Sequence, residues 1–519
     1  MKDLRRLLAL AGMCAILSEA APQTADAFPP DSVTSVMDYE NMLQQLGIRL
    51  PDLPSVDDDP SRPAHIHPAN PGERGAWLWW SDADYRPGDT LRYQVTRSPF
   101  GLWMNYDESP SREGGYPPID PLADAAGGPV LTPDDWWQRA RPQWQALCEE
   151  SVWGLRPAAA DSLHIEWTQT DAGPVEGFPG YRAYVVEGRI DTSRHPSLRH
   201  QPVIHARLYV PDDAQGVPLI IQLAWMKEGV PTAYLEPCAA RGWAFLQMDP
   251  TRLQPDDGAH LTDYLIGLCN GGRWRRPSDW GTLSAWGWGA SRLADFFEGD
   301  LRIDSRRVGL AGHSRYGKSA LAAMALDGRF SLAYLSCSGM AGTSPMRRHY
   351  GEDFESLGWD RLHHWLAGAA IRWCGPLVPG RQLPRRVLAL PVDAQVMAAL
   401  CAPRPLFIAT GHADTWSDPI GSYLTCLRVS PVYRLLGTAG FQDRGERLPA
   451  VDKLYDGGPL AYRMHRGDHT DVIDWPLFVE WAAKWWEQRT ETVTVRRKTS
   501  ACPAPRRHEG RGRQSGLQD

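Results

Sequence analysis

The segment from Val308 to Ala325, VGLAGHSRYGKSALAAMA, constrains the chain more than any other. It carries an apolar strand, RRVGLAG, through a tight turn holding one serine and into an alanine-rich helical stretch. Two chemistries use such a unit. Counted from Gly312 it spells G-x-x-x-x-G-K-S, in which helix N-terminal N–H groups, Lys318 and the Ser319 hydroxyl would cradle phosphates and magnesium. Counted from Ser314 it is a strand, a turn and a helix that display a nucleophile between Gly312 and Gly317. The pentapeptide G-x-S-x-G is not met, because Tyr316 stands where the second glycine belongs.

Three observations disfavour the phosphate loop. The unit arrives after residue 300, when several strands have already been laid down, whereas a nucleotide-binding unit usually opens its domain. No later apolar strand ends in an aspartate suited to holding magnesium. The N-terminus also directs the chain away from cytoplasmic nucleotide. It reads MKDLRRLLALAGMCAILSEAAPQTADA, with a basic start, a short apolar run from Leu7 to Leu17, and A-x-A at Ala25 to Ala27. Residues 1–27 are therefore expected to be a secretory signal peptide, too short in its apolar part to span a bilayer. No other segment approaches a membrane span, so a secreted or periplasmic protein is expected.

A hydrolase of this kind needs an acid and then a histidine further along the chain. HRGDHTDVIDWP offers His469 in a loop before the final helix, with His465 as the weaker choice. A neutral imidazole there would take the Ser314 proton and return it to the leaving alcohol. RPLFIATGHADTWSDP ends a strand and places Asp414 and Asp418 in the next loop. Either carboxylate could orient the imidazole, and Asp414, nearer the strand end, is the choice.

Around this unit the chain alternates apolar strands with helical segments, after a run of closely spaced strands: SLHIEW, YRAYVVEGRI, VIHARLYV and PLIIQLAW. That pattern predicts an α/β domain over residues 151–490 with a mostly parallel sheet. Residues 28–150 read as an N-terminal extension packing on it, with one helical run, SVMDYENMLQQLGI, and a hairpin-like piece, GAWLWWSDADYRPGDTLRYQV. Residues 491–519 are basic, Pro/Gly-rich and aperiodic, and are expected to be disordered. The formal charge of −7, with no basic block in the main body, argues against nucleic acid. Tryptophan outnumbers phenylalanine 23 to 11; most indoles should be packing, although Trp-lined clefts also suit sugar and aromatic ligands. Nine cysteines, eight after loss of Cys14, form no C-x-x-C pair and no disulfide scaffold.

Taken together, GHSRYGKSALAAMALDGRF, RRHYGEDFESL, HHWLAG, LCAPRPLF, DTWSDP, GPLAYRMHRGDHTD, DWGTLSAWGWGASR, DYENMLQQLGI and NYDESPSREGGYPPIDPL resemble the bacterial glucuronoyl esterases of carbohydrate esterase family fifteen. The resemblance covers nearly all of the chain up to about residue 490. It implies an α/β-hydrolase three-layer sandwich, free of cofactor and of metal, and a monomer. The substrate it implies is the ester between (4-O-methyl)glucuronate on glucuronoxylan and lignin alcohols. Ser314 would be the nucleophile, His469 the base, and Arg315 the oxyanion residue through its N–H and guanidinium. Lys318 and Glu355 would bind uronate hydroxyls and Trp416 would contact the sugar. Many members keep a catalytic Glu where this chain has Cys337, in LSCSGMAG, which leaves Asp414 as the acid. His65 to Trp103 looks like an insertion that could extend the cleft rim. A xylan deacetylase, a catalytically impaired glycan-binding relative and an NTPase are the rival readings.

Overall fold

The computed structural model describes residues 28–48, 95–97, 103–105 and 118–499, apart from 31, 196–197, 349, 353, 359–361, 375–385 and 443–447. Ten strands form one sheet: β1 (Ile165–Pro174), β2 (Tyr181–Ile190), β3 (Val203–Pro211), β4 (Val217–Leu223), β5 (Ala244–Asp249), β6 (Ile303–His313), β7 (Leu332–Ser336), β8 (Leu406–Gly411), β9 (Leu454–Tyr455) and β10 (Leu460–His465). Their spatial order is β9-β10-β8-β7-β6-β4-β5-β3-β2-β1. From β10 to β5 every neighbouring pair is parallel, and the strands outside that block pair antiparallel.

The parallel block is apolar because helices cover both of its faces. All residues of β5, β7 and β8 are buried. Helices α3 (Thr232–Ala239) and α7 (Trp475–Thr499) cover one face, packing Leu235, Trp475, Phe478 and Trp481 against Phe245, Tyr334 and Phe407. The other face carries α2 (Arg141–Cys148), α4 (Thr282–Glu298), α5 (Arg315–Leu326) and α6 (Pro419–Leu435). These three layers are those of an α/β-hydrolase. The edge strand β1 shifts register at a bulge between Asp171 and Gly173 and is mostly exposed, a device that discourages edge-to-edge association. Seven tryptophans (136, 153, 280, 286, 475, 481 and 486) are among the largest fully buried side chains, so the indole excess is largely packing.

The described segments of residues 28–150 contact this body. Helix α1 (Ser35–Leu46) is capped by Thr34 and closed by Gly47 at φ 65°, a left-handed conformation that favours glycine. Its buried Asp38 meets His363 Nε2 at 2.8 Å, and Gln45 donates to the Arg275 carbonyl at 2.9 Å. Sequence reading missed a second helical run, Pro133 to Trp153. Its signal was present: a capping box of Thr132 and Asp135, proline at the first position, and buried Trp136, Ala140, Trp144 and Cys148 at a spacing of four.

Of the expected hairpin-like piece only Val95 is described, at the start of a short strand, Val95–Arg97, that pairs antiparallel with Trp103–Asn105; the rest of that piece, the signal peptide and residues 500–519 lie outside the described residues. The tail departs from expectation at its start. Helix α7 continues to Thr499, into residues first assigned to the disordered tail. No proline or glycine interrupts that stretch. Among the described residues, no helix is long and apolar enough to cross a membrane. Seven cysteines are described, six of them buried.

Candidate active site

Ser314 sits between β6 and α5 with φ 58° and ψ −129°, a backbone conformation that costs a non-glycine residue about 1–3 kcal/mol. Its neighbours explain how the turn is tolerated. A Cβ on Gly312 would lie 2.2 Å from the Tyr316 carbonyl oxygen, and one on Gly317 would lie 2.9 Å from Ser338 Cβ. The small residue needed after the serine is thus Gly317, one place later than the pentapeptide puts it. Tyr316 turns instead toward Trp286, their rings 5.3 Å apart. The phosphate-loop reading fails on side chains: Ser319 donates to the Leu283 carbonyl at 2.7 Å, and Lys318 is buried against protein groups.

Two loops at the ends of β8 and β10 meet beside this turn. His412 N–H donates to the His465 carbonyl and Ala413 N–H to that of Gly467, each at 2.8 Å. Gly411 permits the approach, since a Cβ there would lie 2.4 Å from the Asp468 carbonyl oxygen. The loops bring Asp414 Oδ2 to 2.7 Å from His469 Nδ1. Asp414 is buried, which alone would raise its pKa, but the His469 charge and hydrogen bond hold it below the ordinary value. Burial likewise opposes the charged form of His469, and Asp414 outweighs it and raises the imidazole. The His469 side chain stays 35% exposed, and its ring lies 4.4 Å from that of His313, the residue before Ser314. Burial, reinforced by the His469 charge, pushes His313 down to about 3, so it packs as a neutral ring.

The alternative residues are engaged elsewhere. Asp418 meets Arg348 Nε at 2.8 Å, both groups buried, and accepts from Gly421 N–H to cap α6. His465 is buried and holds the turn through the Thr470 carbonyl at 3.1 Å. Cys337 lies against the Asp414–His469 pair. Among the described residues, Cys337, Asp414 and His469 are the one group whose donor atoms cluster closely enough to hold a cation, within 4.8 Å of one another. Burial, then the Asp414 charge, pushes the thiol well above its usual range, leaving it a protonated neighbour of the acid.

On the helix side, Arg315 Nη1 meets Asp256 at 2.6 Å and its guanidinium lies 4.9 Å from the Trp365 ring centroid. Asp256 also accepts from Trp365 Nε1 at 2.6 Å and meets His364 Nε2 at 3.0 Å. Burial would raise this carboxyl, but His364, Arg315 and Trp365 together hold it well below the carboxylate range. Lys318 reaches Glu352 at 2.5 Å and the Met340 carbonyl at 2.6 Å. Glu355 was expected to bind uronate hydroxyls alongside Lys318; the carboxylate that meets Lys318 is that of Glu352. A buried ammonium demands a counter-charge, and the two-residue strand Gly351–Glu352 brings one alongside the turn bearing Trp416. Glu355 lies in the next helical turn, Phe354–Leu357, with its side chain outside the described residues. Trp416 is half-buried in the turn Thr415–Ser417. Asp256, Glu352 and Trp365 were all missed by sequence reading. The one available signal was that Lys318 sits on the apolar face of α5, where a cation requires a partner.

A serine on a strand-to-helix turn, an acid and a histidine in that chain order, and a parallel sheet between helical layers define an α/β-hydrolase with a candidate serine active site. A family model described as glucuronyl esterase, fungi, matches residues 203–437. A carbohydrate esterase from an unknown prokaryotic organism is 28% identical over 449 residues, covering 78% of this chain and 94% of its own. The 4-O-methyl-glucuronoyl methylesterase of Schizophyllum commune is 28% identical over 357 residues, covering 65% and 80%. A solved family-15 glucuronoyl esterase from Teredinibacter turnerae superposes with a TM-score of 0.68 at 28% identity, covering 87% of this chain and all of that one. Over most of its length the chain is similar to the glucuronoyl esterases of carbohydrate esterase family fifteen.

Proposed function

We propose that this chain is a secreted serine esterase that hydrolyses the ester between (4-O-methyl)glucuronate of glucuronoxylan and a lignin alcohol. The observation that carries the mechanism is the strained Ser314 turn with the Asp414–His469 pair packed beside it. Ser314 Oγ attacks the uronoyl carbonyl carbon as His469 Nε2 takes its proton. Asp414 on Nδ1 fixes the tautomer and stabilises the imidazolium. The charge developing on the carbonyl oxygen faces the Arg315 N–H at the start of α5 and the Arg315 guanidinium, which Asp256 and Trp365 hold in place. The C–O bond to the alcohol breaks, His469 returns the proton to the leaving oxygen, and water then releases the uronate by the same steps reversed. Lys318 with Glu352, and Trp416 beside them, form the flank that reads the sugar.

Purified protein is expected to hydrolyse benzyl glucuronate at least about tenfold better than the galacturonate ester, because one misplaced hydroxyl forfeits a hydrogen bond to a charged group. Acetyl-xylan should be poorer still. Turnover of acetyl-xylan with none of the glucuronate ester would identify a deacetylase instead, and xylan binding without any cleavage would identify a glycan-binding protein.

The pH profile offers a separate check. His469 must be neutral to accept the Ser314 proton, and Asp414 raises its pKa. The acid limb of kcat/KM is therefore expected above the ordinary imidazole value of about 6.5. Activity should rise with pH through that limb, and a limb below 6.5 would contradict the pairing.

A further inference from the structure

Three adjacent strands each deliver a side chain able to bind a metal. β7, β8 and β10 lie side by side and parallel, so the loops after them leave the same end of the sheet. The first loop carries Cys337, the second Asp414 and the third His469. The Cys337 sulfur, an Asp414 carboxylate oxygen and a His469 ring nitrogen all lie within 4.8 Å of one another. Backbone bonds hold the cysteine there. Its N–H donates to the Ala409 carbonyl at 2.8 Å, and its own carbonyl accepts from Ser417 Oγ at 3.0 Å.

The hydrolytic mechanism uses two of these three groups and leaves the sulfur idle. A thiolate, a carboxylate and an imidazole are the donors of a tetrahedral zinc-type ion, with metal–ligand distances of about 2.0–2.3 Å. Two donors on one such ion stand at most about 4.4 Å apart, so small side-chain shifts close the cluster around it. The charges match as well. Coordination releases the thiol proton to solvent and moves the imidazole proton from Nδ1 to Nε2. The thiolate and the carboxylate then neutralise a divalent ion, as a buried site requires. A carboxylate in place of Cys337 would leave only oxygen and nitrogen donors; sulfur turns the preference toward soft ions and away from magnesium and calcium. Cys337 and Asp414 are 2% and 1% exposed and the His469 side chain 35%, so an ion enters past the imidazole and water supplies the fourth ligand.

The geometry points to a latent site for a soft divalent cation, zinc or cadmium, formed by Cys337, Asp414 and His469, whose filling switches the enzyme off. With Nδ1 on the metal, the one ring proton sits on Nε2, and His469 cannot take the Ser314 proton. The switch rests on the esterase reading; the binding of the ion does not.

The test titrates cadmium chloride into chelator-treated full-length protein and follows two signals, the ultraviolet thiolate-to-cadmium absorption and hydrolysis of benzyl glucuronate. One ion per chain is expected to bring both the absorption and the loss of turnover, and EDTA to reverse both. In Cys337→Ser and Cys337→Ala the half-inhibiting concentration, taken against each variant's own metal-free rate, should rise at least about a hundredfold, more than loss of an outer-shell partner costs. Asp414→Asn is read by absorption alone and should bind at least about tenfold more weakly. Ser314→Ala keeps all three donors and should bind cadmium as the original does. Equal inhibition of the Cys337 variants, equal inhibition by magnesium, or absorption without inhibition would overturn the site. Protein that binds cadmium as expected yet hydrolyses no ester when metal-free would remove the esterase reading, and the switch with it, while the ion site stood.

Discussion

Replacing Ser314 by alanine is expected to lower kcat on benzyl glucuronate by on the order of 10⁶-fold, the loss seen when a serine hydrolase is deprived of its nucleophile. What remains would come from the Arg315 N–H, its guanidinium and substrate binding. The fold should survive, because β6 and α5 are fixed by the Ser314 N–H to Ser336 carbonyl bond at 2.8 Å and by buried Ala320, Leu321 and Met324. Ser314→Gly separates strain from chemistry. At φ 58° glycine pays no Cβ penalty, so this variant should be as inactive as the alanine one yet more stable by about 1 kcal/mol. Retained turnover in Ser314→Ala would end the mechanism. A Ser314→Gly protein no more stable than the original would show that the turn stores nothing.

The second large effect divides two neighbouring carboxylates. Asp414→Asn keeps the shape of the 2.7 Å contact with His469 but reverses the tautomer preference, and is expected to cost about 10⁴-fold in kcat. Asp418→Asn touches no reacting group. It strips the buried Arg348 of its counter-charge, which is expected to cost about 3–5 kcal/mol of stability. The folded fraction should still turn over within about tenfold of the original. The two substitutions, four residues apart, should therefore separate cleanly: one in rate at unchanged thermal midpoint, the other in midpoint. A large rate loss confined to Asp418→Asn would exchange their roles.

Much of the architecture was legible because it is periodic. Strands buried on both faces read as unbroken apolar runs, helices read as i, i+4 stripes, and chain order alone brought Asp414 and His469 onto loops at adjoining strand ends. What was not legible depends on packing between distant segments. Nothing local singles out Glu352 in its acidic stretch; that it meets Lys318 follows from where a two-residue strand lies beside the Trp416 turn. Asp256 is one of two consecutive aspartates in QPDDGAH, and only the arrival of His364 and Trp365 from more than a hundred residues away sets it apart. The Tyr316 departure from the pentapeptide is explained by Gly317, whose close neighbour, Ser338, belongs to the loop after the next strand. The run from Pro133 to Trp153 was overlooked for a different reason: its proline-rich surroundings outweighed a clear cap.

The pairing of Asp38 with His363 bears on where a recombinant version of this enzyme can begin. His363 immediately precedes the two side chains that clamp Asp256 behind Arg315, so the first described helix buttresses the Ser314 end of the molecule although it lies some 270 residues upstream of it. A clone trimmed to the apparent start of the sheet would strand an imidazole in the interior without its carboxylate. Such a shortened product would be compromised at the chemistry before it was compromised as a fold.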